Sequence, residues 1–548
     1  MKVALISTST HPMALGLRYV SSSLKAGGHE IRMILMSGRK DTARVNFPPA
    51  MVEDLVGLVR SCDLVGMSLL TNNFHRASFL TKVLRDRGVQ SPIVWGGTHP
   101  SVAPEESLTI ADIVCIGEGE GPMRALADAL EHGRDPTEIG SLWFRRNGRT
   151  IRNPPRSLEA QLDALPRPDY DLSTQWAGEK GRLVQARPEL LRGSVERYRI
   201  LSTRGCPYRC TFCNNTVQLQ AYQGKGQWVR KRSNENVIAE IEAMRSQFPA
   251  IEAINIVDDL FFVRTEAEIE AFARLYRDRV NLPLEIDAHP NTITRAKVHS
   301  LRQVPIRLIS MGIQSGSAKT LYEIYERRTP IKRIVEAINL FADYRMRAEY
   351  HYIINNPYEP DDNVVETLYF AARHHRGPFI VRVFPLMFYP GSPLYDRARA
   401  DGLIGPRHED AYEHLYRGKL KGKGQLYLAI WLRVVLWLRG HGVPRVLVRG
   451  LAGVVTNRHV RWFADRRWFP AVSYGVYRVW RGFWKKLVYQ PFVRPLRHVR
   501  RKRRYAGIPA GDEGPPARDA TVAGRGVSSG EVDATGLKKG ESAYAAEP

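Results

Sequence analysis

Three cysteines, Cys206, Cys210 and Cys213, fall within the segment RGCPYRCTFCNN as C-x3-C-x2-C, directly after the strand-like run YRILSTR. Three thiolates on one tight loop can ligate three corners of a cubane iron–sulfur cluster and leave the fourth iron open. The alternative is a structural zinc site, which wants four closed ligands from Cys and His. No histidine occurs between His132 and His289, and the two other cysteines, Cys62 and Cys115, lie far upstream. An odd total of five, three of them crowded together, argues against an exported disulfide framework and for a reducing compartment.

Further chemistry-bearing residues stand where apolar runs end. Asp258 and Asp259 close INIVDD, and Gln314 and Ser315 close MGIQS. Taken alone, the diacid reads as a surface acidic turn and Ser315 as a helix cap. Arg327 and Arg328 in YERRTP read equally as carboxylate contacts or as a solvated helix end. Upstream, the small-residue loops TSTHPMALG, SLLTNN, WGGTHPS and GEGEGP follow four successive strand-like runs.

The elements that must position these residues alternate. In residues 1–135, strand-like VALIS, HEIRMILM, DLVGMSLL, PIVWGG and ADIVCIG are separated by helical patterns, which predicts a parallel sheet with helices on both faces. Ligands of such sheets bind at the carboxyl ends of the strands. Residues 136–197 are rich in Pro, Arg and turn residues and read as a linker. Over 198–400 six strand–helix units restart, predicting a partial or complete parallel barrel with its active site at the C-terminal strand ends. Residues 401–505 read as a basic, aromatic helical module, and 506–548 as a disordered tail rich in Gly, Ala, Ser and Pro.

Length and composition fit this plan. At about 150 residues per domain, 548 residues suggest three or four domains, and 43% hydrophobic with 25% charged residues is ordinary for a soluble protein. The formal charge of +25 is unevenly placed. From Arg417 to Arg504 there are 23 Lys and Arg against one acid, Asp465, so the basic character belongs to the C-terminal module. Its interleaved Trp, Tyr, Arg and Lys suit an anionic membrane surface better than nucleic acid, a solvated helical cap being the third reading. The start of the chain reads as a first strand and not a signal peptide. No run of about 20 uncharged apolar residues predicts a spanning helix, so the expected location is cytoplasmic, with peripheral contact at the inner face of the membrane.

The cysteine spacing at the end of a first barrel strand resembles the radical S-adenosylmethionine (SAM) superfamily over residues 195–400. The resemblance implies a 4Fe-4S cluster on Cys206, Cys210 and Cys213 whose open iron chelates SAM and passes it one electron, giving a 5′-deoxyadenosyl radical. It places the SAM amino group near Asp258 and Asp259, a diacid replacing the more familiar Gly-Gly-Glu. It places the ribose near Gln314 and Ser315, and the adenine at the backbone of Phe212.

Residues 1–135 resemble the cobalamin-binding domain of cobalamin-dependent radical enzymes. Ser68-Leu69-Leu70 and Gly96-Gly97 approximate that family's S-x-L and G-G elements, and the phrases carrying His99, Gly117 and Glu118 look like ones common in the same subgroup. Its D-x-H-x-x-G loop is not intact: if Gly16 takes the final Gly, His11 replaces the Asp and Met13 the ligating His. The competing reading is a nucleotide or flavin domain, weakened because no G-x-G-x-x-G follows the first strand. The two acids of GEGEG would also repel phosphate.

The fold class implied is α/β: a Rossmann-like cobalamin domain, a partial (β/α)6 TIM-type barrel and a helical C-terminal module. The function implied is methylation of an unactivated carbon of a small hydrophobic substrate, with an electron donor of flavodoxin or ferredoxin type. GIQSGSAKTLYEIYERRT and FYPGSPLY also resemble the subgroup of the anaerobic magnesium-protoporphyrin ester cyclase, which implies radical cyclisation or ring rearrangement instead. A non-catalytic iron–sulfur or zinc protein docking on membrane or RNA is the alternative outside enzymology.

Overall fold

Apolar runs become strands and helical patterns become helices along the computed structural model, which describes residues 1–9, 13–36, 47–146, 148–405, 423–440 and 443–460. The first half holds β1 (Lys2–Ser7), α1 (Leu15–Ala26), β2 (Glu30–Leu35), α2 (Pro49–Val59), β3 (Leu64–Ser68) and α3 (Phe74–Asp86). There follow β4 (Ile93–Gly96), α4 (Thr98–Val102), α5 (Pro104–Leu108), β5 (Ile113–Cys115), α6 (Glu120–Glu131), β6 (Leu142–Arg146), β7 (Arg149–Arg152), β8 (Gln175–Glu179) and β9 (Arg182–Gln185). These strands form one sheet in the order β7-β6-β5-β4-β3-β1-β2-β8-β9. Its centre, β5-β4-β3-β1-β2-β8, is parallel, and helices cover both faces, so β1 is buried at every residue but its first.

One expectation changes here. Residues 136–197 are not merely a linker, since β6 and β7 extend one edge of the sheet and β8 and β9 the other. These strands are only four or five residues long and their turns are Gly-rich, so they carry little periodic signal of their own.

The second half begins with α7 (Arg192–Val195), β10 (Arg197–Ile200), β11 (Thr203–Arg204), α8 (Asn214–Ala221), β12 (Arg230–Lys231), α9 (Asn234–Gln247), β13 (Ala253–Ile256), α10 (Glu266–Arg279) and β14 (Leu284–Ala288). It continues with α11 (Arg295–Ser300), β15 (Ile306–Gln314), α12 (Ile331–Asp343), β16 (Ala348–Ile354), α13 (Asp361–His374), β17 (Phe379–Pro385) and α14 (Pro393–Ala400). Strands β10-β13-β14-β15-β16-β17 lie side by side, all parallel, which is the open six-stranded barrel. Helix α10 shows why the outer layer forms. Thr265 and Glu268 make a reciprocal capping box at its start, and Ile269, Phe272, Ala273 and Tyr276 repeat at i, i+3, i+4, i+7 and are fully buried.

Beyond the barrel, α15 (Lys423–Gly440) and α16 (Arg445–Thr456) belong to the same core. Leu428, Leu432 and Val435 of α15 are fully buried with Leu368 of α13 and Tyr350 of β16. The basic segment continuing to 505 and the tail 506–548 lie outside the described residues. Each buried aliphatic side chain contributes about 1.5–3 kcal/mol. A chain ending at Gly405 should therefore unfold at clearly lower urea than the full chain, whereas one ending at Val460 should keep the full chain's midpoint. Equal midpoints for all three in circular dichroism titrations would show that α15 contributes nothing to the barrel.

Candidate functional site

The site is built where the C-terminal ends of both sheets meet. On the barrel side, the Asp258 carboxylate accepts from the backbone N–H of Ser202 (2.6 Å) and Thr203 (2.8 Å) and from the Ser202 hydroxyl, with the Arg264 guanidinium 3.8 Å away. Burial pushes this carboxyl above its ordinary value. Its oxygens are thus spent on pinning the chain between β10 and β11, immediately before the cysteine loop. Gly205 then turns at φ +86°, and a Cβ there would lie 2.3 Å from the carbonyl oxygen of Trp228, so only glycine fits. The Trp228 indole N–H donates to the carbonyl of Cys206 at 3.0 Å.

The loop itself is held from below. Cys213 N–H donates to the Cys210 carbonyl (3.0 Å), the Thr216 hydroxyl donates to the same carbonyl (2.8 Å), and Thr211 is tied to Ile324 and Tyr325. Arg327 Nη1 stands 3.6 Å from Cys210 Sγ while Nη2 donates to the Gly312 carbonyl at 2.8 Å. Burial pushes the Cys206 thiol up to about 11 and Cys213 up to about 12. Thiols so withdrawn from water become ligating thiolates only beside a strong positive charge, which an iron cluster supplies. The donor set fits such a cluster.

Facing this loop is a cavity of about 350 Å³ between the barrel and the N-terminal sheet. Gly66, Ser68, Gly96, Gly97 and Gly119 wall it at the strand ends of the first sheet, and Tyr222, Trp228 and Arg230 wall it from the barrel. Gly117 turns at φ +75°, and a Cβ there would overlap the Tyr222 hydroxyl. The missing side chain lets the phenol accept from Glu118 N–H at 2.9 Å. A flat, amide-fringed cofactor with a long tail fits this glycine-walled slot, where a Cβ at Gly96 would already meet Cys115 Cβ at 3.7 Å and a larger side chain would take up the slot.

Two arginines and two glutamates close the seam. Arg204 donates to Glu120 (2.6 Å) and lies 3.2 Å from Glu118, while Arg230 binds both oxygens of Glu118 (2.6 and 3.1 Å). Burial works against the Glu118 charge, yet Arg230 and Arg204 hold it below the usual carboxylate range. Sequence patterning does not single out Arg204, Arg230, Glu120, Tyr222 or Trp228. The available signal is the pair of acids in GEGEG, which attract arginine instead of merely repelling phosphate.

The expected residues divide. Gly16, Ser68, Gly96, Gly97, Gly117, Glu118 and Asp259 line the cavity. Met13, Leu70 and His99 do not line it. Met13 precedes α1 and its carbonyl accepts from Arg18, Leu70 is 52% exposed, and His99 is fully buried against Phe74 beside Thr71 and Glu106. His11 lies outside the described residues. Ser315 is buried, sharing its hydroxyl with Thr367 (2.9 Å) and Glu359 (3.2 Å). Gln314 sits at φ +69° above Gly312, and Phe212 packs edge-on to Tyr325 at 4.9 Å.

Residues 200–371 match the radical SAM superfamily and residues 1–127 the B12 binding domain. An uncharacterized methyltransferase of Pyrococcus horikoshii is 26% identical over 399 residues, covering 71% of this chain and 79% of the relative. The anaerobic magnesium-protoporphyrin IX monomethyl ester cyclase of Synechocystis sp. is 23% identical over 343 residues, and the match spans only 62% of that enzyme. In fold, the chain is similar to the radical S-adenosylmethionine methyltransferase TsrM from Kitasatospora setae, solved with cobalamin and a [4Fe-4S] cluster. That likeness has a TM-score of 0.59 and 17% identity, over 87% of this chain and 99% of that one.

Gly96→Leu should fill the slot. We expect at least a tenfold loss of cobalamin affinity in an absorbance titration, with the iron content of the reconstituted protein unchanged. Undiminished cobalamin binding would place the cofactor elsewhere.

Proposed function

The chain is a radical SAM enzyme with an N-terminal B12-binding domain, and from that premise we propose that it methylates an unactivated carbon of a small hydrophobic substrate. The observation that carries this reading is the common seam: the cysteine loop and the glycine-walled cavity share Arg204, two residues before Cys206, as part of one wall. When bound, the cluster and SAM supply a carbon-centred radical and cobalamin supplies a methyl group. The protein's own part is to bind, orient and exclude water. Cys206, Cys210 and Cys213 hold the cluster. Asp259, which lines the cavity, takes the amino-group role, since Asp258 is spent on the backbone. Arg327, buried beside Cys210, is placed to meet the SAM carboxylate. A one-electron donor of flavodoxin or ferredoxin type completes the reaction.

Similarity to the ester cyclase favours a second reading, radical cyclisation or rearrangement without methyl transfer. Anaerobic assays on extracts of a deletion strain, with SAM labelled in its methyl group, separate the two. Methylation predicts label in an extractable product and none with Cys206, Cys210 and Cys213 all changed to Ala. A new product without label would favour cyclisation.

For location we propose peripheral binding to an anionic membrane. No described helix is long and apolar enough to cross a bilayer. Helix α16 instead exposes Val446 (79%), Leu447 (65%) and Val454 (62%) beside the exposed Arg445 and Arg449, and residues 443–460 contain no acid. Apolar side chains flanked by cations suit an anionic surface, each cation adding about 1 kcal/mol before screening. The full chain should co-sediment with vesicles of anionic lipid at low salt and be released by high salt, and Val446→Asp with Leu447→Asp should cut the bound fraction severalfold. Equal sedimentation with neutral vesicles would contradict this.

A further inference from the structure

The interior of the open barrel carries charges that the cofactor seam does not use. On β10, Tyr198 and Ile200 point into the outer core, so Arg197 and Arg199 point to the interior face, where Arg197 pairs with Glu285 of β14. Glu285 also receives Arg307 of β15 at 3.2 Å. Across the interior, Glu349 of β16 takes Arg382 of β17 (2.7 Å) and His351 (2.9 Å). Each of these two acids thus already faces two basic side chains, both on the same oxygen in the case of Glu349, whose second oxygen is buried without a hydrogen-bond partner. Asp287 is the one acid left on this face of β14–β16, and its partner is the Ser310 hydroxyl.

Four interior guanidiniums thus face three carboxyls, and Arg199 is the surplus. It is half-buried and makes no hydrogen bond or ion pair among the described residues. Burial lowers its affinity for a proton, while Tyr170 and Asp287 act on it only through space. Burial pushes Asp287 up to about 6, which a directly paired guanidinium would prevent. A half-buried cation without an acceptor is costly unless something else provides one.

Toward the cofactor seam the same face becomes apolar. Ile353 and Phe384 lie opposite each other in register, and Phe384, 42% exposed, packs on the ring of His351 at 5.4 Å. Asn255 is the register partner of Arg199, and the cavity-lining Asp259 follows it four positions later. At no more than about 3.3 Å per residue, the level of the cation lies within about 13 Å of the cavity wall along this chain.

We propose that the substrate carries one anionic group, a carboxylate or a phosphate, which docks on Arg199 inside the barrel while its apolar body rises past Ile353 and Phe384 toward the cofactors. This rests on the reading of a hydrophobic substrate made above and adds the charge and its place. The structure thus assigns Arg199 as a specificity-determining residue.

The test uses the full reconstituted chain and displacement of a fluorescent dansyl-labelled undecanoic acid by decanoate, decyl phosphate and decanol, the first two distinguishing carboxylate from phosphate. At least one of the two anions should displace the probe tenfold or more better than decanol. Arg199→Gln should erase that preference without weakening decanol, and Arg199→Lys should retain part of it, folding being checked by circular dichroism. The wild-type comparison needs no variant, so the proposal stays falsifiable even where Arg199→Gln folds poorly. Decanol equal to both anions would overturn the proposal while sparing the hydrophobic reading. An anion preference that survives in a folded Arg199→Gln chain would also overturn it, moving the binding to the basic C-terminal surface. Failure of all three amphiphiles to displace the probe would sink both readings together.

Discussion

Two guanidiniums and two carboxylates withdrawn from water between the domains are the constraint on which the rest depends. Arg204 and Arg230 come from the barrel, Glu118 and Glu120 from the N-terminal sheet, and none of the four side chains is more than 25% exposed. Buried charges of this kind are tolerated only as a paired set, and removing one partner costs about 3–5 kcal/mol because its counterpart stays buried and uncompensated. The contact therefore acts less as glue than as a specification of register. It fixes the chain just before Cys206 against the loop that closes the cavity, so the cysteine loop and the cavity cannot drift apart without breaking the set.

The same seam explains which parts of the site are legible in the sequence. Cys206, Cys210 and Cys213 announce themselves because their chemistry is local: one loop, one spacing. The glycines at 96, 97 and 117 are readable for a similar reason, since close approach demands an absent side chain wherever it occurs. The arginines are not, because nothing near Arg204 in the chain says that its partners lie some eighty residues upstream. The diacid shows the intermediate case. Both carboxylates have the same standing in the sequence, and only the fold separates Asp258, spent on the backbone of Ser202 and Thr203, from Asp259 in the cavity wall. His99 reads as a loop residue near the cofactor, yet its ring is sealed against Phe74.

The fold itself is largely legible from alternation, because parallel sheets buried on both faces leave long apolar runs. The short edge strands between 142 and 185 are hidden since an edge needs few apolar residues. The C-terminal helices read as a separate module for the opposite reason. Their aromatic and basic surface dominates the composition, while the residues that matter for packing, such as Leu428 and Leu432, are few and fully buried against α13. One helical pair thus closes the barrel with one face and presents cations and apolar side chains with the other.

If cluster and cobalamin occupy two sides of one seam, their electron spins must sense each other. Pulsed electron paramagnetic resonance on the full chain, loaded with both and reduced so that the cluster and cobalt(II) are each paramagnetic, tests this most directly. The reduced cluster should speed the spin relaxation of the cobalt signal, and Cys206→Ala should abolish this effect while cobalamin stays bound. A cobalt signal that relaxes identically with and without the reduced cluster would contradict the shared seam.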